Sequence, residues 1–132
     1  MASVLVVDDD VEVAEAISRV LARGGFSVRV VNSAAAALTA VSENEPDVVI
    51  TDVIMPRQNG VDLIRALRNQ SPRIRVVAIS GGGSFGPSSY KPDAISTHAY
   101  LAAARAAGAN EVLSKPFDMA ELLSAVRGLL PN

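Results

Sequence analysis

Acidic, hydroxyl and amino side chains stand directly after four of the apolar runs in this sequence: Asp8-Asp9-Asp10, Asp52, Ser80 and Lys115. Clustered carboxylates repel one another and would take up protons unless a cation lay among them. Oxygen ligands without histidine or cysteine are typical of Mg²⁺, with Mn²⁺ as a possible substitute. A lysine and a hydroxyl suit a phosphoryl group, and a carboxylate beside the ion can attack phosphorus.

Five short runs predict the strands that would position these groups, over residues 4–7, 26–30, 48–50, 74–79 and 111–114. Three of them, 4–7, 48–50 and 74–79, are continuously apolar apart from Arg75, as strands of a parallel sheet covered on both faces require. The run 26–30 alternates between apolar and polar residues, and 111–114 is short with polar flanks. We therefore expect these two at the edges of the sheet.

Helical patterns fill the intervals between the predicted strands. The first ends before Gly24, the second begins after Ser33, the third follows Asn59-Gly60, the fourth covers about 95–107, and the fifth begins at Asp118 with Glu121 in capping-box spacing. Alternating strands and helices predict a flavodoxin-like α/β fold, a doubly wound parallel sheet of strand order 2-1-3-4-5. In that order the carboxyl ends of the strands lie side by side, and the polar groups that follow them meet at one end of the sheet.

Composition excludes several classes of protein. A chain of 132 residues, 49% hydrophobic and 20% charged, predicts one domain over 1–132 without an output domain. The formal charge of −2 argues against direct nucleic-acid binding. The lack of cysteine excludes disulfides, thiolate metal sites and cysteine nucleophiles. Since neither a basic leader nor a run of about 20 apolar residues occurs, we expect a cytoplasmic protein without membrane contact.

Four motifs in order resemble the receiver domain of two-component response regulators. These are the strand and acidic run 4–10, the segment 52–56 followed by Gly60, the hydroxyl of Ser80, and the Lys-Pro-Phe sequence at 115–117. The resemblance covers nearly the whole chain, and the spacing of the four motifs is compatible with that family.

The resemblance implies a role for each matching residue. Asp52 would accept a phosphoryl group from a histidine kinase or a histidine phosphotransferase. Asp9 would bind Mg²⁺ directly and Asp8 mostly through water, while Asp52 and the backbone carbonyl of Ile54 would complete the protein ligands. Such a protein catalyses only its own phosphorylation and dephosphorylation and is not otherwise an enzyme.

Two further residues would contact the phosphoryl group, and one acid would not. The resemblance implies that Ser80 donates a hydrogen bond and that Lys115 pairs with the phosphoryl oxygens. Asp10 is better interpreted as the acidic start of the first helix. The output would be the binding of an unidentified downstream protein to the fourth helix, fifth strand and fifth helix, together with the long loop after Ser80, by a monomer or a phosphorylation-dependent dimer.

The sequence departs from the family pattern at two places. Val112 occupies the position where the family usually has an aromatic that turns inward on activation. The segment between Ser80 and Lys115 is also longer than usual and begins with Gly81-Gly82-Gly83, which permits large backbone changes. Our hypothesis is that the switch uses Ser80, Gly81 and the following loop instead of an aromatic at Val112.

Phosphoryl lifetime is the subject of a second hypothesis. Ile54 and Gly82 stand where family members place groups that orient the attacking water, and neither has a polar side chain. We expect these two positions not to accelerate the loss of the phosphoryl group.

Other interpretations remain open at this stage. Asp8 to Asp10 could serve only as helix caps, Asp52 as a turn residue, and Lys115 as a surface lysine. Whole-chain alternatives are a degenerate receiver acting as a constitutive interaction module, and a Mg²⁺-dependent phosphohydrolase. The hydrolase would need a general acid where Ile54 stands, and the degenerate receiver would be expected to lack one of the site residues.

Overall fold

A parallel sheet forms the centre of the protein. The computed structural model describes residues 2–55, 58–80, 94–114 and 117–130, and this part of the chain contains five parallel strands, β1 (Ser3–Val7), β2 (Ser27–Val31), β3 (Val48–Asp52), β4 (Arg75–Ser80) and β5 (Glu111–Ser114). Their spatial order is β2-β1-β3-β4-β5. The predicted flavodoxin-like order 2-1-3-4-5 and both predicted edge strands are confirmed.

Helices follow the strands within the described residues: α1 (Val11–Arg23), α2 (Ala34–Glu43), α3 (Gly60–Gln70), α4 (Ala94–Ala107) and α5 (Met119–Leu129). Side chains that accept backbone N–H groups cap four of them: Asp10, Ser33, Asn59 and Asp118. Asp118 and Glu121 form the predicted capping box, in which each side chain accepts the other residue's amide. These caps satisfy amides that the helix itself leaves without a partner.

Two hydrophobic clusters lie on opposite faces of the sheet. Val49 and Leu67 belong to the cluster under α2, α3 and α4, whereas Ile50 and Ile17 belong to the cluster that includes α1 and α5. Successive side chains of a strand point to opposite faces, so each internal strand contributes side chains to both clusters. This explains why the runs of β1, β3 and β4 are continuously apolar.

Three local features differ from the sequence-based expectations. Val30, on the apolar face of the alternating run of β2, is 45% exposed and lines an open groove with Val11 and Arg19 of α1. Gly60, expected in a turn, is the first residue of α3. A short antiparallel ladder, Ile54–Met55 with Gln58–Asn59, connects β3 to α3.

Among the described helices, none combines the length and apolar character needed to cross a bilayer.

Arg68 ties together several segments at the end of the sheet where the strands begin. Its guanidinium donates to the carbonyls of Gly108 (2.9 Å), Pro72 (3.1 Å) and Ile74, and to the side-chain oxygen of Asn110. Burial lowers the pKa of Arg68, and the nearby positive charge of Arg75 lowers it further. We call Arg68, Gly108 and Asn110 the base cluster, because they join the end of α3 to the starts of β4 and β5.

Candidate functional site

The acidic run after β1 divides into distinct structural roles. Asp8 extends the pairing with β2, since its amide donates to the carbonyl of Val31 (3.2 Å). Asp8 as a whole is only 4% exposed, and its carboxylate accepts the amide of Asp10 (2.9 Å). Asp10 caps α1, as expected, by accepting the amides of Glu12 and Val13. Asp9, between them, is exposed.

Asp52, the last residue of β3, is the third acid of the site and lies at the same end of the sheet as Asp8. Thr51, next to Asp52, pairs with Val7 of β1, the residue directly before Asp8. One carboxylate oxygen from each of Asp8, Asp9 and Asp52 can be chosen so that all three lie within 4.8 Å of one another. We call these three residues the acidic cluster. The predicted convergence of Asp8, Asp9 and Asp52 is therefore present in the structure.

The donor set of the acidic cluster fits a hard divalent cation. All three groups are carboxylates, the ligand type that Mg²⁺ prefers, and Mg²⁺ commonly uses one or two of them with several waters. Burial decreases from Asp8 through the half-buried Asp52 to the exposed Asp9, so the cluster opens to solvent on one side. That opening leaves room for water or phosphoryl oxygens. Asp8 is held in place by the Asp10 amide, which limits how far the carboxylates can move apart.

The other predicted site residues are placed to different extents. Ser80 ends β4 beside Ser114 of β5, so the backbone brings position 80 to the same end of the sheet as Asp52. Ile54 lies in the short ladder that follows Asp52. Gly81 and Lys115 lie outside the described residues, as does most of the predicted loop switch.

Val112 lies in β5 opposite Ala78 of β4 and is half-buried against the cluster under α2, α3 and α4. Valine has no ring that could alternate between a buried and an exposed position. The geometry is therefore compatible with the expectation that no aromatic switch operates at this position.

Two residues contact the backbone of Asp52, of which Gly60 was part of the motif noted in the sequence and Thr51 was not. Thr51 is fully buried, and its hydroxyl donates to the backbone carbonyl of Asp52 (3.0 Å). Gly60 packs against the same carbonyl. A threonine inside an apolar strand run is a sequence signal for a buried hydroxyl that needs a partner, but the partner itself is set by the turn after β3.

Comparison with known proteins identifies the fold and the family of this geometry. Among solved structures, the chemotaxis response regulator CheY4 of Vibrio cholerae superposes with a TM-score of 0.80 at 26% identity, covering 98% of this chain and 99% of that one. The receiver domain of NtrX from Brucella abortus superposes with a TM-score of 0.82 at 27% identity, covering 96% and 97% of the two chains.

Curated relatives agree with the structural neighbours. The DNA-binding transcriptional regulator NtrC of Bradyrhizobium sp. (strain RP501 Parasponia) is 35% identical over 126 residues, covering 94% of this chain and 23% of that protein. Response regulator MprA of Mycobacterium sp. (strain KMS) is 35% identical over 127 residues, covering 96% and 50%. The chain thus spans between about a quarter and a half of the length of these relatives.

A family model gives the same assignment over most of the sequence. The model described as "Response regulator receiver domain" matches residues 4–127, from the second residue of β1 to the last turns of α5. The matched region contains every member of the acidic cluster as well as Ser80 and Lys115. The chain belongs to the receiver domain family of two-component response regulators.

Proposed function

We propose that this receiver domain is a phosphoacceptor switch in which Asp52 takes a phosphoryl group from a histidine kinase or a histidine phosphotransferase. The observation that carries the proposal is the approach of the Asp8, Asp9 and Asp52 carboxylates within 4.8 Å at the ends of two adjacent strands. Three carboxylates at this spacing repel one another, and a bound cation would offset their charge together with that of the phosphoryl oxygens.

Asp52 is suited to act as the nucleophile. It ends β3 and is half-buried, so its carboxylate is reachable from solvent while its backbone is fixed in the sheet. A carboxylate oxygen of Asp52 forms a bond to phosphorus as the bond from phosphorus to the donor's imidazole nitrogen breaks. The electron pair of that bond stays on the imidazole nitrogen, which is left as part of neutral histidine after protonation. The product is a mixed anhydride on Asp52.

Asp8 and Asp9 would hold Mg²⁺ together with Asp52, and Mn²⁺ could take its place. Bound there, the ion would offset the negative charges of carboxylates and phosphoryl oxygens that otherwise repel one another. Ile54 would add its backbone carbonyl. Because Asp8 is already held by the amide of Asp10, the acidic cluster needs little reorganisation to accept the ion.

Ser80 and Lys115 would contact the transferred group. The position of Ser80 at the end of β4, next to β5, supports the first contact. Lys115 comes directly after Ser114, the last residue of β5, and Ser114 lies at the same end of the sheet as Asp52. An ammonium group and a hydroxyl near the phosphoryl oxygens would stabilise the acyl phosphate.

The output surface would consist of α4, β5 and α5. Arg105 of α4 pairs with Glu111 of β5 (3.8 Å), with both side chains about half exposed, so an exposed ion pair links the two elements on this face. β5 is paired with β4, whose last residue is Ser80. Phosphorylation would shift an existing equilibrium between two arrangements of this face, and a downstream protein would bind one of them.

Acetyl phosphate tests the proposal without knowledge of the natural kinase. The protein is incubated with acetyl phosphate and Mg²⁺, and the intact mass is compared with that of Asp52→Ala. We expect a gain of one phosphoryl group in the parent protein, none in the variant, and none when the metal is removed with EDTA. Amide chemical shifts should then change in α4, β5 and α5 more than in α2.

The same experiment separates the alternatives. Continuous release of phosphate without a stable adduct would favour a phosphohydrolase over the switch. No adduct on any aspartate, with Mg²⁺ in excess, would favour a constitutive interaction module and contradict the proposal.

A further inference from the structure

Thr51 is a buried polar residue in an otherwise apolar stretch of β3. Its side chain is fully buried, and its neighbours in the register are Val7 of β1 and Ala78 of β4. Valine would have almost the same shape and would suit these apolar neighbours. The hydroxyl is therefore not needed to fill space, and its cost of burial must be offset by a hydrogen bond.

The hydrogen bond made by Thr51 goes to the backbone of the proposed acceptor. The Thr51 hydroxyl donates to the carbonyl oxygen of Asp52 at 3.0 Å. This carbonyl belongs to the peptide group between Asp52 and Val53, at the point where β3 ends and the connection to α3 begins. The N–H of the same peptide group, on Val53, donates to the carbonyl of Ile79 in β4 at 2.8 Å.

Gly60, the first residue of α3, packs closely against this peptide group. A Cβ atom at Gly60 would lie 2.4 Å from the carbonyl oxygen of Asp52 and 2.6 Å from the Cα of Val53. Both distances are far below van der Waals contact, so residue 60 can approach this closely only without a side chain. The Gly60 amide also donates to the carbonyl of Val53 at 3.0 Å.

These contacts leave the peptide group after Asp52 little freedom to rotate. A peptide group is planar, so fixing its oxygen and its nitrogen, together with the Cα of Asp52 at the end of β3, fixes the whole plane. The plane in turn sets the backbone of Asp52 and hence the direction in which its side chain leaves the sheet. Asp52 must reach an oxygen position within 4.8 Å of the other two carboxylates, which makes this direction consequential.

We propose that Thr51 is a positioning residue for Asp52: its hydroxyl, acting with the bare Cα of Gly60, holds the peptide group after Asp52 in one orientation and so aims the acceptor carboxylate at Asp8 and Asp9. The proposal deepens the proposed function and rests on it for the role of Asp52 as acceptor. Thr51 itself touches neither the phosphoryl group nor the metal.

Three variants separate positioning from packing. Thr51→Val removes the hydroxyl and keeps the shape, whereas Thr51→Ser keeps the hydroxyl and loses a methyl group. Thr39→Val, on helix α2, is the matched control for the same chemical change away from the site. A purely structural role would make Thr51→Ser the more damaging of the two changes at residue 51, because it leaves a small cavity.

The rate of phosphorylation by acetyl phosphate with Mg²⁺, measured by intact mass, is the first readout. We expect Thr51→Val to slow phosphorylation roughly two- to tenfold, the range that one net hydrogen bond accounts for. Thr51→Ser and Thr39→Val should stay close to the parent rate. Equal rates for Thr51→Val and the parent, or a Thr51→Ser variant as slow as Thr51→Val, would overturn the proposal.

Hydrogen exchange of the Val53 amide is the second readout and does not depend on phosphorylation. Exchange should be faster in Thr51→Val than in the parent and return to the parent rate in Thr51→Ser. Unchanged exchange in Thr51→Val would overturn the positioning role. If the parent protein accepts no phosphoryl group, the proposed function fails, and the exchange data still decide whether Thr51 orders this peptide group.

Discussion

Each acid of the run after β1 has a different environment, although the three are consecutive in sequence. Asp8 is buried and accepts the Asp10 amide, Asp9 is exposed, and Asp10 caps α1. The charge of Asp9 therefore contributes to the acidic cluster without supporting the fold, whereas Asp8 contributes to both. This difference allows metal binding and stability to be separated experimentally.

Replacing Asp9 with asparagine should weaken Mg²⁺ binding without destabilising the protein. We expect Asp9→Asn to lower the Mg²⁺ affinity at least about tenfold, as loss of a ligand or its support typically does. Without metal, its melting temperature should equal or exceed that of the parent, because one of three mutually repelling charges is removed. Isothermal titration with MgCl₂ and thermal unfolding with and without Mg²⁺ measure the two effects.

Asp10→Asn is the matched control for this experiment. Asparagine caps helices about as well as aspartate, and Asp10 is not part of the acidic cluster. Its Mg²⁺ affinity should stay near the parent value. Mg²⁺ binding by Asp9→Asn as tight as that of the parent would contradict the assignment of Asp9.

At the scale of the elements, helix boundaries were predictable because their signals are local. Ser33 and Asp118 have side chains that accept the amide three residues ahead, and such spacing is visible in the sequence. The contrast between continuous and alternating apolar runs similarly distinguished the internal strands from edge strand β2, and the short run 111–114 with its polar flanks indicated the other edge. These signals do not depend on any distant part of the chain.

The capping box of α5 offers a test at this scale. Asp118→Ala removes the acceptor of the Glu121 amide (2.8 Å) and should lower the free energy of unfolding by about 1 kcal/mol. Asp118→Asn retains an acceptor oxygen and should lose much less. Urea unfolding of the three proteins measures the difference, and an alanine variant as stable as the parent would show that this cap contributes nothing.

Features set by distant contacts were not predictable. The approach of Gly60 to Asp52 and the bonds from Arg68 to Gly108 and Asn110 join segments that the sequence separates, whereas the short ladder after β3 is local and was not predicted. The site was partly predictable, because the topology of parallel strands alone places Asp8 and Asp52 at the same end of the sheet. The hydrogen bond from Thr51 to Asp52 depends on the turn geometry, which no local pattern encodes.

For the whole molecule, the two ends of the sheet have separate tasks. The carboxyl ends of β1 and β3 carry the acidic cluster, whereas the base cluster joins α3 to the amino ends of β4 and β5. Asn110 extends this connection, since its side-chain oxygen also accepts the Val76 amide at 2.8 Å. The base cluster therefore stabilises the fold at a distance from the proposed chemistry.

A double-mutant cycle tests this connection. Arg68→Ala should cost about 2–3 kcal/mol, because several backbone carbonyls lose a charged donor. Gly108→Ala should cost about 1–3 kcal/mol, since this glycine has a φ of +123° and a Cβ there would lie 2.7 Å from the Cγ of Arg68. In the double variant the clash is absent, so the combined cost should be less than the sum.

Urea unfolding of the four proteins gives the coupling energy. The folded double variant should still be phosphorylated at the parent rate by acetyl phosphate, because the acidic cluster lies at the other end of the strands. Additive costs would show that Arg68 and Gly108 act independently. A large loss of phosphorylation in the fully folded variant would show that the two ends of the sheet are not separate.

The close packing of Arg68 on Gly108 also constrains how this protein can diverge. A side chain at residue 108 would meet Arg68 within 3 Å and would also have to adopt a φ of +123°, so shortening Arg68 removes only one of the two obstacles to replacing this glycine. Natural homologues are therefore expected to keep glycine at position 108 more strictly than arginine at position 68.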